Sequence, residues 1–439
     1  MNNYSTDTPI YALATPLAPS ALAVIRTSGQ DSISLLANAF SRSKALLKAQ
    51  TNTMVYGSIL AQDGTTIDEV QLCVYHKGHG YTAEEAVEIM AHGSIAGLKR
   101  LFLRLEELGF KPAKRGEFTF RAFMHGRMDL TQAEAVEEII ESKGITSQQA
   151  AISRLEGKLK NVLLSLKEEI INILASLEVQ LDYAEDEILE DWLFPSEEIK
   201  SIKDRLKTIV GTYKTSKLYS EGAKVVLAGA TNAGKSSLFN LLVKENRAIV
   251  SDIPGTTRDY IETWLTLEGI PIRLFDTAGL RASSDLIEEE GIKRSQSLME
   301  EADLIVYLVD SEHPLLPEKV NNKMLVVYSK FDKIAHPGQL SISTLTGEGV
   351  AELVKRIVAI LTEGKAQLNG ELAIESERQE KLLSKVIEDL EDIEKHQDVS
   401  VDLMALYFQE VLRDLGEVTG EVTTDDILET LFSRFCVGK

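Results

Sequence analysis

Lys224-Val-Val-Leu-Ala-Gly-Ala-Thr-Asn-Ala-Gly-Lys-Ser-Ser-Leu238 decides how this chain is read. It opens on a short apolar run, residues 225–228, which reads as a buried strand. Gly229-x-x-x-x-Gly234-Lys235-Ser236 follows, and Ser237-Leu-Phe-Asn-Leu-Leu242 reads as the start of an amphipathic helix. A strand, a glycine-framed loop and a helix in that order make the P-loop pattern. Its glycines let backbone N–H groups turn inward around phosphate oxygens, and the helix N-terminus adds partial positive charge. Lys235 supplies a point charge for the outer phosphates, and the Ser236 hydroxyl is a ligand for Mg²⁺.

Two more phosphate motifs follow in the order a nucleotide clamp needs. In Pro254-Gly-Thr-Thr-Arg-Asp259 a threonine can close over the nucleotide, ligate Mg²⁺ and sense the γ-phosphate. In Asp276-Thr-Ala-Gly279 the carboxylate would hold Mg²⁺ through a water and the Gly279 N–H would meet the γ-phosphate. Base choice falls to Ser329-Lys-Phe-Asp332, after the apolar run 325–328. A carboxylate at 332 accepts from N1 and N2 of guanine, a donor pair that adenine lacks. Translational and Ras-like GTPases place Asn-Lys-x-Asp here, so Ser329 is a departure. Ser343-Thr-Leu345 reads as the last base-contacting loop. GTP is expected rather than ATP.

Leu280 stands where Ras-like enzymes carry the glutamine that orients water, and no arginine is placed to act in cis. Some other charge and some other polar group are then required. Asn232, inside the P-loop, could hold a monovalent cation. Glu288, Glu289 and Glu290 could position the water.

Outward from this core the texture changes. Residues 9–120 mix strands (21–25, 53–59, 70–75, 85–90) with helices (32–40, 95–108) and read as an α+β domain. A turn is expected at His92-Gly93. His76, His79 and His92 read as surface or turn residues rather than metal ligands. Residues 130–218 read as helical. Thr131-Gln-Ala-Glu134 has the form of a capping box, and one stripe runs from Leu155 through Leu159, Leu163, Leu166, Ile170, Ile173 and Leu177 to Leu181. Acidic 182–191 reads as a solvated turn. Strands and helices alternate over 223–361, as in a mostly parallel sheet. Residues 374–435 are helical again, with Leu403, Leu406, Tyr407, Val411 and Leu415 on one face. The fold class expected is multidomain α/β, with the nucleotide domain inserted into a discontinuous helical bundle.

The 439 residues carry a formal net charge of −21, which disfavours broad non-specific nucleic-acid binding. Lys111, Lys114, Arg115, Arg121, His125 and Arg127 form the densest basic cluster; it reads either as a solvated face or as a local contact for RNA. Cys73 and Cys436 are the only cysteines, which predicts neither a disulfide framework nor a zinc site. No run is long and apolar enough for a bilayer, and the N-terminus lacks a signal-peptide pattern, so a cytoplasmic protein with no membrane partner is expected.

The motifs together resemble those of the MnmE (TrmE) family, tRNA modification GTPases of bacteria and organelles, over nearly the full length. The resemblance rests on Gly229-Ala-Thr-Asn-Ala-Gly-Lys-Ser-Ser237, Asp252-Ile-Pro-Gly-Thr-Thr-Arg-Asp259, Asp276-Thr-Ala-Gly-Leu-Arg281, Arg115-Gly-Glu-Phe118 with Asp129-Leu-Thr-Gln-Ala-Glu-Ala135, and Phe435-Cys-Val-Gly-Lys439. It implies four segments: an N-terminal tetrahydrofolate-binding and dimerisation domain (1–120), a helical part (121–218), a Ras-like G domain (219–373) and a second helical part with the terminal tail (374–439). It implies GTP contacts at Asn232, Ala233, Gly234, Lys235, Ser236 and Ser237, at Ser251, Asp252, Ile253, Pro254, Gly255, Thr256 and Thr257, at Asp276, Thr277, Ala278 and Gly279, and at Ser329, Lys330, Asp332, Ser343, Thr344 and Leu345.

The same resemblance gives Mg²⁺ the ligands Ser236 and Thr257, and K⁺ the positions Asn232, Ser251, Ile253 and Thr256. It makes Glu288 the catalytic glutamate and Cys436 a candidate nucleophile. A one-carbon tetrahydrofolate falls on Arg26, Glu88, Arg127 and Lys439; the family usually has Lys at 127. The implied activity is K⁺-stimulated GTP hydrolysis by a homodimer. With a flavin-dependent partner of the MnmG (GidA) type, it would add an aminomethyl or carboxymethylaminomethyl group to C5 of the wobble uridine of tRNA. The alternative is a regulatory switch, such as a ribosome-assembly GTPase, without chemistry of its own.

Overall fold

A computed structural model describes residue 4 and residues 6–182, 193–246, 261–276, 297–363 and 372–439. The chain divides into two compact units. One holds residues 1–137, 159–193 and 396–439; the other holds 138–158 and 194–395.

The first unit is built on a six-stranded sheet. Its strands are β1 (Ile10–Leu13), β2 (Ser20–Ser28), β3 (Thr53–Leu60), β4 (Thr66–Tyr75), β5 (Ala86–Gly93) and β6 (Lys111–Pro112), in the order β3-β4-β5-β2-β1-β6. All pairs are antiparallel except β1 with β6. Alternation puts Val70, Leu72 and Val74 of β4 inside. The helix Ile95–Glu107 covers that core with Leu98, Leu101 and Leu105, and Ser94 caps it by accepting from the Gly97 N–H. His92 sits inside β5 rather than in a turn, and its Nδ1 lies 2.7 Å from Asp68. Among the described residues no group of three His, Cys, Asp or Glu side chains could hold a metal.

Three helical expectations are corrected in detail. The stripe from Leu155 is not one helix: Ile145–Leu155 ends at Gly157, whose φ of 86° breaks the run, and a new helix spans Lys158–Asp182. The N-terminal cap of the helix Leu130–Glu141 is Asp129, not Thr131. Asp129 Oδ1 accepts from the Gln132 N–H at 2.9 Å, while Gln132 Oε1 accepts from the Asp129 N–H at 3.2 Å, so the reciprocal box lies two residues upstream. In the helix Val401–Thr419 the buried stripe is Met404, Ala405, Phe408, Val411, Leu415 and Val418, whereas Leu403 and Leu406 point outward. The acidic stretch after Asp182 lies outside the described residues.

The basic cluster near residue 121 is no continuous face. Arg121 is fully buried and paired with Glu84 and Glu117, and Arg115 donates to the carbonyl of Phe435.

The second unit is centred on a five-stranded sheet ordered β11-β10-β7-β9-β8, where β7 is Ala223–Gly229, β8 Ile261–Leu267, β9 Ile270–Asp276, β10 Leu304–Asp310 and β11 Met324–Ser329. β7, β9, β10 and β11 run parallel; the apolar runs of β7, β9 and β10 are buried, as strands covered on both faces require, while the edge strand β11 buries Val327 and leaves Leu325 and Val326 half-buried. β8 is antiparallel to β9 through the two-residue turn Glu268-Gly269, both at positive φ. The helices Lys235–Asn246 and Val350–Leu361 pack their apolar stripes into this core. Beside it, the helix Ser196–Val210 pairs with Glu377–Lys395, with Lys207 bonded to Glu391 at 2.6 Å and Lys203 to Glu394.

Candidate nucleotide site

The P-loop stands where an open parallel sheet offers its carboxyl edge, between β7 and the helix Lys235–Asn246. β7 must end on glycine. Gly229 has φ 135°, and a Cβ there would come 2.3 Å from the Leu308 carbonyl oxygen of β10. Asn232 adopts a left-handed φ of 64° and Gly234 one of 92°, so the loop folds back over the helix start. Ala233 is fully buried beneath it.

Lys235 is almost wholly buried. Its Nζ donates to the Gly229 carbonyl at 2.9 Å and to the Ala230 carbonyl at 2.7 Å, so the ammonium is held across the mouth of the loop. Ser236 Oγ donates to Asp276 Oδ2 at 2.7 Å, which joins the P-loop to the end of β9. Asp276 is itself buried. A hydroxyl and a carboxylate at this distance form the hard-oxygen pair that Mg²⁺ takes.

The segment 329–332, expected to face the base, follows β11, whose end lies beside that of β10. Ser343 Oγ donates to Asp332 Oδ1 at 2.6 Å and accepts from the N–H groups of Leu345 and Thr346. Asp332 is thereby oriented by a buried hydroxyl, while Leu345 is exposed. Lys330 takes a left-handed φ of 59°, and its Nζ donates to Asp310 Oδ2 at 2.6 Å and to Glu312 Oε2 at 3.1 Å. Burial works against a charged Asp310, but the hydrogen bonds from Lys330 and from the Glu312 N–H outweigh it and hold the carboxyl below its ordinary range. Sequence reasoning missed Asp310, Ser311 and Glu312. Their one signal is position: they close the apolar run of β10, at the sheet edge where ligands bind. Ser251, Asp252, Ile253, Pro254, Gly255, Thr256 and Thr257, and likewise Thr277, Ala278, Gly279 and Glu288, lie outside the described residues.

In the first unit the terminal tail folds against β2 and β5. Arg26 Nε donates to Glu88 Oε1 at 2.9 Å across the β2–β5 pair, and Arg26 Nη1 donates to the Gly438 carbonyl at 3.2 Å. The Arg26 guanidinium lies 4.9 Å from the centre of the Tyr81 ring, and the Lys439 ammonium lies 5.8 Å from the same centre. Burial and the Arg26 charge push the Lys439 ammonium below its usual range. Arg26, Glu88 and Lys439 therefore converge, with Tyr81 as an addition the sequence did not signal. Arg127 is exposed after the helix Glu117–Met124 and has no ion pair or side-chain hydrogen bond with those three. Cys436 is exposed, and its carbonyl accepts from the Gly116 N–H at 3.4 Å.

Comparison with known proteins places these sites in one context. The profile of the GTP-binding protein TrmE N-terminus matches residues 9–127, and that of the MnmE helical domain matches residues 130–436. The chain is 39% identical to the tRNA modification GTPase MnmE of Treponema denticola, over the whole of both proteins. It is 40% identical to that of Borreliella burgdorferi (strain ZS7) over 99% of each. Against that of Natranaerobius thermophilus it is 36% identical, over 99% of this chain and 100% of the relative. Among solved structures, the G domain of the T. maritima FeoB iron transporter is 33% identical over 31% of this chain and 98% of its own length, at a TM-score of 0.25. With both domain profiles matched in order and relatives of this identity aligned from end to end, the chain belongs to the MnmE family of tRNA modification GTPases.

Proposed function

We propose that this protein is a K⁺-stimulated GTPase acting on tRNA. With a flavin-dependent partner of the MnmG type, it installs an aminomethyl or carboxymethylaminomethyl group at C5 of the wobble uridine, drawing the carbon from a one-carbon tetrahydrofolate. The observation that carries the GTPase half is the Lys235–Ser236–Asp276 cluster at the sheet edge. Membership of the family carries the rest.

On this reading Lys235, held across the loop mouth by the Gly229 and Ala230 carbonyls, presents its ammonium to the β- and γ-phosphates. Ser236 and Asp276, with Thr257, suit Mg²⁺. Asn232, with Ser251, Ile253 and Thr256, suits K⁺. Asp332 reads guanine under the guidance of Ser343, and Glu288 positions the water. In the first unit, two cations and a carboxylate beside an aromatic ring suit an anionic, planar heterocycle such as a folate, with Arg127 reaching it as a long cation. When bound, Mg²⁺ and K⁺ neutralise charge on the transferred phosphoryl group, and the folate carries the carbon. Cys436, beside Lys439, is the candidate nucleophile. We further propose a cytoplasmic homodimer built from segments 1–120, 121–218, 219–373 and 374–439.

The deciding experiment is mass spectrometry of wobble uridine in cells lacking the protein. The modified base should disappear, and a plasmid copy carrying Lys235→Ala should not restore it. GTP turnover unchanged on replacing K⁺ by Na⁺ would remove the potassium part of the proposal.

A further inference from the structure

The loop that faces the base is fastened from an unexpected side. Ser329 Oγ donates to the Val309 carbonyl at 3.2 Å, back toward β10. The end of β10 holds that loop. Ser311 Oγ donates to the Ser329 carbonyl, and Asp310 and Glu312 together take the Lys330 ammonium. Asp310 Oδ1 accepts from the Glu312 N–H at 2.9 Å, so the two carboxylates form one unit, and Glu312 also takes Lys333 at 3.0 Å. Lys330 needs such fastening, because a non-glycine residue at φ 59° persists only where its surroundings over-determine it.

We propose that the Asp310–Glu312 carboxylate pair positions Lys330 for the base. By anchoring the ammonium, the pair stretches the four-carbon stem into the place where it covers one face of the guanine, and Ser311 fastens the same loop through the Ser329 carbonyl. Asp310 and Glu312 touch no nucleotide atom in this scheme; they act through Lys330. The inference rests on the guanine-nucleotide reading above and deepens it. A stem held over the ring face is indifferent to the 2-amino group, which belongs to Asp332. The clamp therefore sets how tightly purine nucleotides bind and leaves the choice of guanine alone.

The test is equilibrium binding of GDP and IDP to the full-length chain, by competition with a fluorescent GDP analogue. Asp310→Asn and Lys330→Ala should each weaken GDP by about tenfold, the scale of one charge-assisted hydrogen bond. The double variant should lose no more than either single one, because both remove the same contact. The GDP:IDP affinity ratio should stay at the parent value in Asp310→Asn and fall in Asp332→Ala. Conservative replacement by Asp310→Glu should recover part of the lost affinity. The proposal is overturned if Asp310→Asn binds GDP like the parent, if the two losses multiply to about a hundredfold, or if the GDP:IDP ratio shifts. Should Asp310→Asn not fold, Glu312→Gln takes its place. A loss of about threefold is expected there, as for a half-exposed ion pair, and no loss overturns the proposal. A parent chain that binds neither nucleotide would sink the guanine reading and the anchoring with it. A parent that binds beside an inert Asp310→Asn sinks the anchoring alone.

Discussion

Gly229 carries the tightest steric constraint of the P-loop, since any Cβ there would collide with the Leu308 carbonyl of the neighbouring strand. Gly229→Ala should cost about 1–3 kcal/mol in folding stability, read as a lowered urea midpoint, and GDP should no longer raise that midpoint. Lys235→Ala should leave the fold intact, because the carbonyls of Gly229 and Ala230 that the ammonium bridges belong to its own loop and not to the core. Its GTP turnover should nevertheless fall by about a hundredfold or more, as expected for the loss of a preorganised charge. Arg121 is the opposite case. It is fully buried, with Glu84 and Glu117 on its guanidinium and the Thr8 carbonyl accepting at 2.8 Å. Arg121→Ala strands two carboxylates in the interior, and a loss of about 3–5 kcal/mol is expected in urea unfolding. The sequence presents that arginine as one of a run of basic residues. Only the packing of the helix Glu117–Met124 shows that its charge is spent inside.

Elements whose period is unbroken are legible in the sequence: β7, β9, β10 and β11 are short apolar runs, and the helix Ile95–Glu107 is amphipathic with a serine cap. What is not legible is phase. Leu403 and Leu406 share a spacing with Val411 that fits a helical face, yet the neighbours select the stripe through Met404 and Phe408 instead. Hydrophobic spacing says that a face exists and leaves its angle to tertiary contacts. β8 escapes a sequence reading because the polar residues Glu262, Thr263 and Thr266 fall without a period of two and break up its apolar run; the Glu268-Gly269 turn is its available signal. The cap of the helix Leu130–Glu141 shows the same ambiguity, since Asp129-x-x-Gln132 and Thr131-x-x-Glu134 both fit the rule. The structure chooses Asp129, so Asp129→Ala should cost about 1 kcal/mol and Asp129→Asn only a fraction of that. Urea unfolding of the two variants side by side measures the difference.

At the scale of the whole chain, charge sets the terms on which RNA can be held. The formal net charge is −21, and a polyanion gains its affinity chiefly from lysines and arginines that displace counterions. The richest basic run in the chain is only partly free to do so, because Arg121 is interior and Arg115 is occupied by the carbonyls of Phe435 and Arg434. Lys330 and Lys333 are neutralised by Asp310 and Glu312, and Lys203 and Lys207 by Glu394 and Glu391. A tRNA is therefore expected to meet mostly like charge on this chain, with the cationic surface supplied by the proposed flavin-dependent partner. The chain alone should bind tRNA more weakly than about 10⁻⁶ M at physiological salt, within the range of non-specific contacts. Fluorescence anisotropy with labelled tRNA, titrated first with this chain and then with the chain plus its partner, measures both states. The slope of log affinity against log salt should be shallow for the chain alone and steepen once the partner is present, because each added phosphate contact contributes about −0.9 to it. A steep slope and sub-micromolar binding by the unaccompanied chain would mean that a cationic face is assembled from residues that the charge pattern does not reveal.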